Sequence, residues 1–461
     1  MSYNSISMKS YKSFIFESIN FRPHSGKIVL RYSLDKELSF EETIMLPDDT
    51  LVPDIAKRDD IQAALFALHL IGGISYYKTF CPGKIEIKNG GLSKSEAQFW
   101  NTVYLNGLGQ FFYENKLDFR NRINFPSSPT PTQTQTPRQS NQKRILVPIG
   151  GGKDSLVTIE LLKKSGADIT LLRVGPHPFI EQLAHDAGLP LLEIRRSLSP
   201  ALFKLNEKGA LNGHVPITAY ISILSILVAL LYDFDAVVMS DEASSDEGNI
   251  KFHGMDINHQ WSKSLEFENM FRKYIKTSIG SNIEYFSLLR PFSELKIANL
   301  FSGFPKYFGE FTSCNINWKI LASPSLPRNG GGAEGGGNRW CCACPKCASV
   351  FACLAAFLPR EKLEMIFGAI PFENEALMNL YRELLGVSGH KPFECVGTAD
   401  ETKAAFLLAM RRGDLSGTPI MKMFIDEVLP AIKDQEKLIA EVLAIRPEHC
   451  IPDLFQKLIV L

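Results

Sequence analysis

Arg144-Ile-Leu-Val-Pro-Ile149, Gly150-Gly151-Gly152-Lys153-Asp154-Ser155 and Leu156-Val-Thr-Ile-Glu-Leu-Leu-Lys-Lys-Ser165 form one continuous stretch. Together they predict an apolar strand, a glycine turn and an amphipathic helix. Three glycines let the backbone approach a ligand with no Cβ in the way. Asp154 and Ser155 are expected to cap the helix. Its free N–H groups and the positive end of its dipole then face the turn, which suits an anion. Lys163 and Lys164 fall in the last turn and Gly166 ends it, as the dipole and capping rules prefer. A Walker A loop is excluded, because Val147 stands where its first glycine belongs and Asp154 follows Gly152-Lys153. A dinucleotide fingerprint is weak, because Ser155 takes its last glycine position and the next strand ends in Arg173.

The remaining match resembles the pyrophosphate loop (PP-loop) of the ATP pyrophosphatases, Ser-Gly-Gly-x-Asp-Ser. Gly150 replaces the first Ser, while Gly151, Gly152, Asp154 and Ser155 are kept. The resemblance implies cleavage of ATP between its α- and β-phosphates and adenylation of a substrate oxygen.

Working outward, residues 144–320 read as βαβαβ. Strands are expected at Asp168–Val174, Leu189–Ile194 and Asp235–Ser240, with helices at Pro178–Ala187 and Pro216–Tyr232. Such alternation implies a parallel sheet covered by helices on both faces. Ligands in these sheets lie at the carboxyl ends of strands. That rule groups Gly150–Ser155, Arg173-Val174 and the polar loop after Ser240, which runs Asp241-Glu-Ala-Ser-Ser-Asp-Glu-Gly-Asn249 and on to His259 and Lys263. Its acids can hold magnesium against phosphates. Its amides and Lys263 suit a polar substrate.

Further on, Cys341, Cys344 and Cys347 have C-x2-C-x2-C spacing, and Cys314 lies nearby. Three readings stay open: a four-thiolate zinc site, reduced structural cysteines, or thiols that move protons. Glycine-rich 329–338 is an expected flexible segment, and 321–461 is otherwise helical, interrupted at Lys391-Pro-Phe-Glu-Cys-Val-Gly-Thr398.

Upstream, residues 1–125 predict an α+β domain, with strands at Lys27–Ser33, Glu41–Leu46 and Lys84–Lys88. Helices are expected at Asp60–Leu70 and over Ser93–Glu114, whose aromatics read as core. A proline-rich polar linker at 126–143 separates this domain from the glycine turn. The chain carries 50 basic and 50 acidic residues among 461, so no bulk charge steers it to nucleic acid or an acidic membrane. Nine cysteines, four of them within 341–347, argue for metal or chemistry in a reducing compartment. No apolar signal core opens the chain, and the run Ile217–Leu231 is too short and polar for a span. A cytoplasmic location is the expectation.

Several motifs together resemble one family. They are Gly-Gly-Gly-Lys-Asp-Ser (150–155), Ser-Asp-Glu-Ala-Ser-Ser (240–245), Asn-His-Gln-Trp-Ser-Lys-Ser (258–264), Cys-Pro-Lys-Cys (344–347), the 391–398 motif and Gly-Gly-Ile-Ser-Tyr-Tyr-Lys-Thr-Phe-Cys-Pro (72–82). They are similar to the MurL epimerases, which act on UDP-N-acetylmuramoyl-L-alanyl-L-glutamate (UDP-MurNAc-L-Ala-L-Glu). Asp241 stands where Asn is expected, and the glycine-rich linkers are peculiar to this chain. The resemblance implies inversion of the terminal L-Glu, with ATP converted to AMP and pyrophosphate, for peptidoglycan synthesis. The implied fold is α/β: a PP-loop, adenine nucleotide α-hydrolase-like core with an N-terminal α+β domain and a helical C-terminal region. Gly150, Gly151, Gly152 and Ser155 would cradle pyrophosphate, Asp154 would hold Mg2+ or order the loop, and Lys153 would screen the phosphates. Arg173 and Val174 would border adenine. His259 and Lys263 are candidates for substrate binding or proton transfer, in competition with Cys314, Cys344 and Cys347. A PP-loop synthetase of the 7-cyano-7-deazaguanine type is the alternative. Those chains are usually about half this length, which disfavours it.

Overall fold

The computed structural model describes residues 10–47, 52–128, 144–315 and 339–460. The linker beyond residue 128 and the glycine-rich segment lie outside the described residues.

Strands β1 (Ser13–Arg22), β2 (Lys27–Leu34), β3 (Leu38–Met45) and β4 (Lys84–Ile87) open the chain, with helices α1 (Asp59–Tyr77), α2 (Lys94–Gly107) and α3 (Gly109–Glu114). Then β5 (Arg144–Pro148), β6 (Asp168–Val174), β7 (Leu191–Ser197) and β8 (Ala236–Met239) alternate with α4 (Lys153–Lys163), α5 (Pro178–Ala187), α6 (Pro200–Glu207) and α7 (Ile217–Leu231). A short hairpin, β9 (Ile250–Phe252) and β10 (Met255–Ile257), precedes α8 (Leu265–Tyr274), β11 (Glu284–Ser287) and α9 (Glu294–Ser302). The C-terminal layer includes α10 (Pro345–Ala355), α11 (Arg360–Phe367), α12 (Met378–Leu384) and α13 (Ala399–Arg412).

Nine strands form one mixed sheet in the order β11-β8-β5-β6-β7-β3-β2-β1-β4. The run β11-β8-β5-β6-β7 is parallel. Its side chains alternate between two cores with the period of two that a pleated strand imposes. Ile145, Val147, Leu171, Val238 and Phe286 face α4, α9 and the C-terminal helices, whereas Leu146, Leu172, Val237 and Tyr285 face α1, α7 and α8. The apolar run at α7 is buried between the sheet and α1. Among the described residues no helix is long and apolar enough to cross a membrane.

The N-terminal strands join this sheet edge to edge, with β3 antiparallel to β7 through Thr43 opposite Ser197 and Met45 opposite Arg195. A buried network holds the seam. Glu42, fully buried, accepts from Arg196 at 2.8 and 3.2 Å, from Tyr76 at 3.1 Å and from Tyr220 at 3.0 Å. The Arg196 guanidinium lies 3.6 Å above the Tyr220 ring. Replacing Glu42 with Gln keeps one accepting oxygen but leaves the Arg196 guanidinium without a counter-charge, and is expected to lower unfolding free energy by about 2 kcal/mol. Denaturant midpoints of the two proteins check it.

Three local expectations are corrected. The helix after the glycine turn begins at Lys153 with Gly152 as its cap and no side-chain cap. Asp154 and Ser155 therefore lie inside its first turn, and the Asp154 carboxylate is not spent on capping. The long helix over Ser93–Glu114 divides at Leu108 (φ −97°, ψ 9°); its aromatics Phe99, Trp100, Tyr104, Phe111 and Phe112 are core, as expected. Helix α1 runs on through Gly73, where an added Cβ would come within 2.4 Å of Phe16, so that glycine allows close packing and does not break the helix.

Candidate functional site

The parallel strands reverse order at β5. Strand β6 lies on one side of it and β8 on the other, so the crevice beyond the carboxyl ends of β5 and β8 is a topological switch point. Three neighbouring strands each deliver a carboxylate there: Asp154 after β5, Glu242 after β8 and Glu294 after β11. One oxygen of each lies within 4.8 Å of the others.

Such a cluster is unfavourable without cations. Lys153 is fully buried and reaches Glu294 at 3.0 Å and Asp154 at 2.5 Å. Its ammonium faces this carboxylate cluster. Lys346, between the cysteines of Cys-Pro-Lys-Cys, reaches Glu294 at 3.3 Å and donates to the Cys395 carbonyl. Burial opposes ionisation of Glu294, yet Lys153 and Lys346 hold its carboxyl down at about 2. The second oxygen, Oε2, is buried without a hydrogen-bond partner among the described residues.

Arg290, 1 % exposed, builds the loop after β8. It pairs with Glu268 at 3.0 Å and donates to the Glu242 carbonyl at 2.8 Å and the Lys263 carbonyl at 2.5 Å. Lys263 makes no ion pair within 4 Å among the described residues. Burial opposes its charge, but Cys395, Glu242, Asp241 and Asp154 raise its pKa well above the ordinary value. It is a cation at neutral pH. Burial pushes Asp241 the other way for an acid, up to about 7.

His259 sits apart from the carboxylates, beside α3. Its Nδ1 meets Gln110 Oε1 at 2.5 Å, and Gln110 Nε2 donates to Glu114 at 2.7 Å. That orientation of the amide puts the proton on Nδ1 and leaves a lone pair on Nε2. His214 lies 4.5 Å away, ring centre to ring centre. Burial lowers His259 to about 4, and burial with the nearby His259 lowers His214 to about 3. A histidine kept neutral in the fold but charged when unfolded lets the unfolded state bind more protons. Stability is therefore complete above about pH 6.5 and falls as the pH drops toward 4. His259→Gln is expected to flatten that fall, measured as urea midpoints from about pH 7.5 to about pH 5.

Gly150 is exposed, Gly151 is buried in the left-handed region at φ +78°, and the Ser155 hydroxyl donates to the Gly152 carbonyl at 3.1 Å. Arg173 ends β6 with Val174, but its buried guanidinium is committed to Glu193, to Glu181 at 2.7 Å and to the His177 carbonyl at 3.0 Å. Cys314, Cys341, Cys344 and Cys347 come together, all four sulfurs within 4.8 Å. The 391–398 motif bridges these parts. Its Lys391 and Pro392 carbonyls accept from Asn249, and Glu394 accepts from Asn315. A Cβ on Gly397 would come within 2.4 Å of Glu401 and 3.2 Å of Glu294. Glu294, Lys346 and Gly397 carry no signal of this role in the sequence. Ser293-Glu294 reads there as an ordinary helix start.

An open groove of about 860 Å³ runs along Asn106, Asn249, Asp256, Trp261 and Asn269. Asp246, Asp256 and Glu266 outnumber Lys251 in its wall, which disfavours a diphosphate. The switch point, where Lys263 makes no ion pair among the described residues and stays cationic, suits phosphates better.

Comparison with known proteins bears on this arrangement directly. A model of the MurL N-terminal domain matches residues 5–288, and one of the MurL C-terminal domain matches 310–439. The chain belongs to the MurL family. It is 37% identical over 428 residues to a UDP-N-acetyl-alpha-D-muramoyl-L-alanyl-L-glutamate epimerase of Xanthomonas oryzae pv. oryzae, covering 93% of this chain and 92% of the relative. Proteins of the same name from Salinispora tropica (37% over 425 residues, 91% and 90% covered) and a Micromonospora species (35% over 426, 91% and 92%) are similar to it. The carboxylates and the lysine that pairs with them draw on both MurL regions. Asp154 and Glu242 lie in the N-terminal match, Lys346 in the C-terminal one, and Glu294 in the short stretch between them.

Proposed function

We propose that this chain inverts the terminal L-Glu of UDP-MurNAc-L-Ala-L-Glu to D-Glu, coupled to conversion of ATP to AMP and pyrophosphate. The observation that carries the chemistry is the set of three carboxylates on adjacent strand ends beside a glycine turn, with Lys263 facing them. The names of the relatives support the substrate. The glutamate α-proton is hard to remove while the neighbouring carboxylate is ionised, because the enolate would be a dianion. Attack of that carboxylate on the α-phosphorus of ATP, with pyrophosphate leaving, gives an acyl-adenylate, which removes the charge and acidifies the α-carbon. A base then takes the proton and an acid returns one on the other face. Hydrolysis releases product and AMP, so the inversion is directional.

The glycine turn and the first amides of α4 would bind the phosphates. Asp154, Glu242 and Glu294 form an all-oxygen donor set, and the unpartnered Glu294 Oε2 fits a hard cation. Mg2+ held there would offset phosphate charge. Lys263, kept protonated, is the candidate acid or carboxylate anchor; His259, kept neutral with a free lone pair, is the candidate base or hydrogen-bond acceptor.

Incubation with UDP-MurNAc-L-Ala-L-Glu, ATP and Mg2+ in heavy water tests this reading. Deuterium at the glutamate Cα, formed together with AMP, is expected. AMP without stereoinversion points instead to a PP-loop synthetase.

A further inference from the structure

We infer that Cys314, Cys341, Cys344 and Cys347 form a closed structural zinc site that clamps the glycine turn in place. The sulfurs of Cys341 and Cys347 lie 3.6 Å apart. A disulfide needs about 2.0 Å. Two thiolates on one tetrahedral zinc, with Zn–S bonds of about 2.3 Å, lie about 3.8 Å apart. All four sulfurs lie within 4.8 Å of one another, whereas a bridged iron–sulfur cluster would set thiolates on different irons farther apart.

The surroundings suit thiolates. Backbone N–H groups of Ala343 and Cys344 donate to Cys341 Sγ at 3.5 and 3.3 Å, and that of Cys347 donates to Cys344 Sγ at 3.4 Å. Cys314 and Cys347 are 1 % and 0 % exposed, and Phe311, Trp340 and Phe367 pack together beside them. Cys341 and Cys344 are half-buried, but four thiolates fill a tetrahedral zinc shell and leave no position for a water ligand, the mark of a structural rather than a catalytic site. Cys342, in the middle of the run, points away and donates to the Phe367 carbonyl at 3.4 Å.

Two short paths lead from the sulfurs to the switch point. Cys314 donates its N–H to Thr312 Oγ1 at 3.2 Å. Thr312 in turn donates its hydroxyl to the Arg339 carbonyl at 2.7 Å and its N–H to the Gly151 carbonyl at 3.0 Å. Ser313 is pressed so close that a Cβ on Gly152 would come within 2.7 Å of its hydroxyl. On the other side, Lys346 sits between two of the cysteines and reaches Glu294. Cross-linking Cys314 to the Cys341–Cys347 turn therefore fixes both the glycine turn and a cation of the carboxylate cluster. This holds whether or not the turn grips ATP. It also removes Cys314, Cys344 and Cys347 from proton transfer.

Metal analysis of the purified full chain, followed by hydrogen–deuterium exchange before and after zinc removal, tests both halves without any nucleotide. Stoichiometric zinc is expected, kept in Cys342→Ser and lost in Cys314→Ser. Stripping zinc is expected to speed exchange at the amides of 150–155 about tenfold, with β1 to β3 unchanged. Thr312→Val, which keeps all four sulfurs, is expected to retain zinc yet show the faster exchange. Metal-free protein as isolated, iron in place of zinc, or a cysteine disulfide would overturn the site. Unchanged protection of 150–155 in stripped protein and in Thr312→Val would overturn the clamp.

Discussion

Asp154→Ala is expected to abolish both AMP formation and glutamate inversion, with a loss in kcat/KM of about a thousandfold or more. The residue stands in the first turn of α4, after the glycine turn, and its carboxylate is one of three that converge at the switch point. Its side chain is 20% exposed, unlike those of Lys153 and Glu294 behind it, so it is the member of the cluster that an incoming phosphate or cation meets. The fold should survive the change, because Lys153 keeps Glu294 at 3.0 Å. Steady-state kinetics alongside a denaturant curve separate the two effects. A variant within tenfold of the parent activity would remove Asp154 from the chemistry.

Glu294→Ala is expected to act on stability first. Glu294 is 1 % exposed and neutralises two buried ammonium groups, Lys153 and Lys346. Deleting one partner of a buried ion pair costs about 3–5 kcal/mol, because the remaining charge is left without compensation. Lys153 retains Asp154 and Lys346 retains the Cys395 carbonyl, which places the loss toward the lower end. Glu294→Gln should cost less, since the amide still accepts a hydrogen bond. Adding Lys346→Met to Glu294→Gln should recover part of the loss, since it removes the orphaned charge. Urea midpoints for the three variants measure this. A midpoint for Glu294→Ala unchanged from the parent would show that the cluster does not hold the crevice together.

Much of the parallel half of the sheet was legible because it rests on local pattern. Asp168–Val174 and Pro178–Ala187 coincide with β6 and α5, and β8 follows the apolar run that the sequence displays. Three of the four clustered cysteines, Cys341, Cys344 and Cys347, are legible for the same reason, their spacing being local, whereas Cys314 joins them from 27 residues upstream. Other parts depend on partners distant in sequence. Strand β1 leaves little trace in the sequence, since its polar end, Glu17 to Asn20, alternates poorly and its register carries a bulge between Phe16 and Ser18. Strand β11 finds its partner in β8, some 48 residues upstream, and without that pairing Glu294 has no place at a strand end. The seam between Glu42 and Arg196 joins positions 154 residues apart, and neither residue announces burial. The glycine turn shows in the sequence as strand, turn and helix, but its cap does not. A glycine in extended backbone at the cap position, φ −86° and ψ 168°, leaves no side chain to betray it.

In the proposed reaction a carboxylate of the substrate attacks the α-phosphorus of ATP beside the Asp154 helix. Carboxylate oxygen tracing tests it most directly. UDP-MurNAc-L-Ala-L-Glu carrying a heavy oxygen isotope in its α-carboxylate is turned over with ATP, and the AMP is examined by mass spectrometry. One labelled oxygen transferred from glutamate to the AMP phosphate is the result expected here. AMP carrying oxygen from water alone would contradict it.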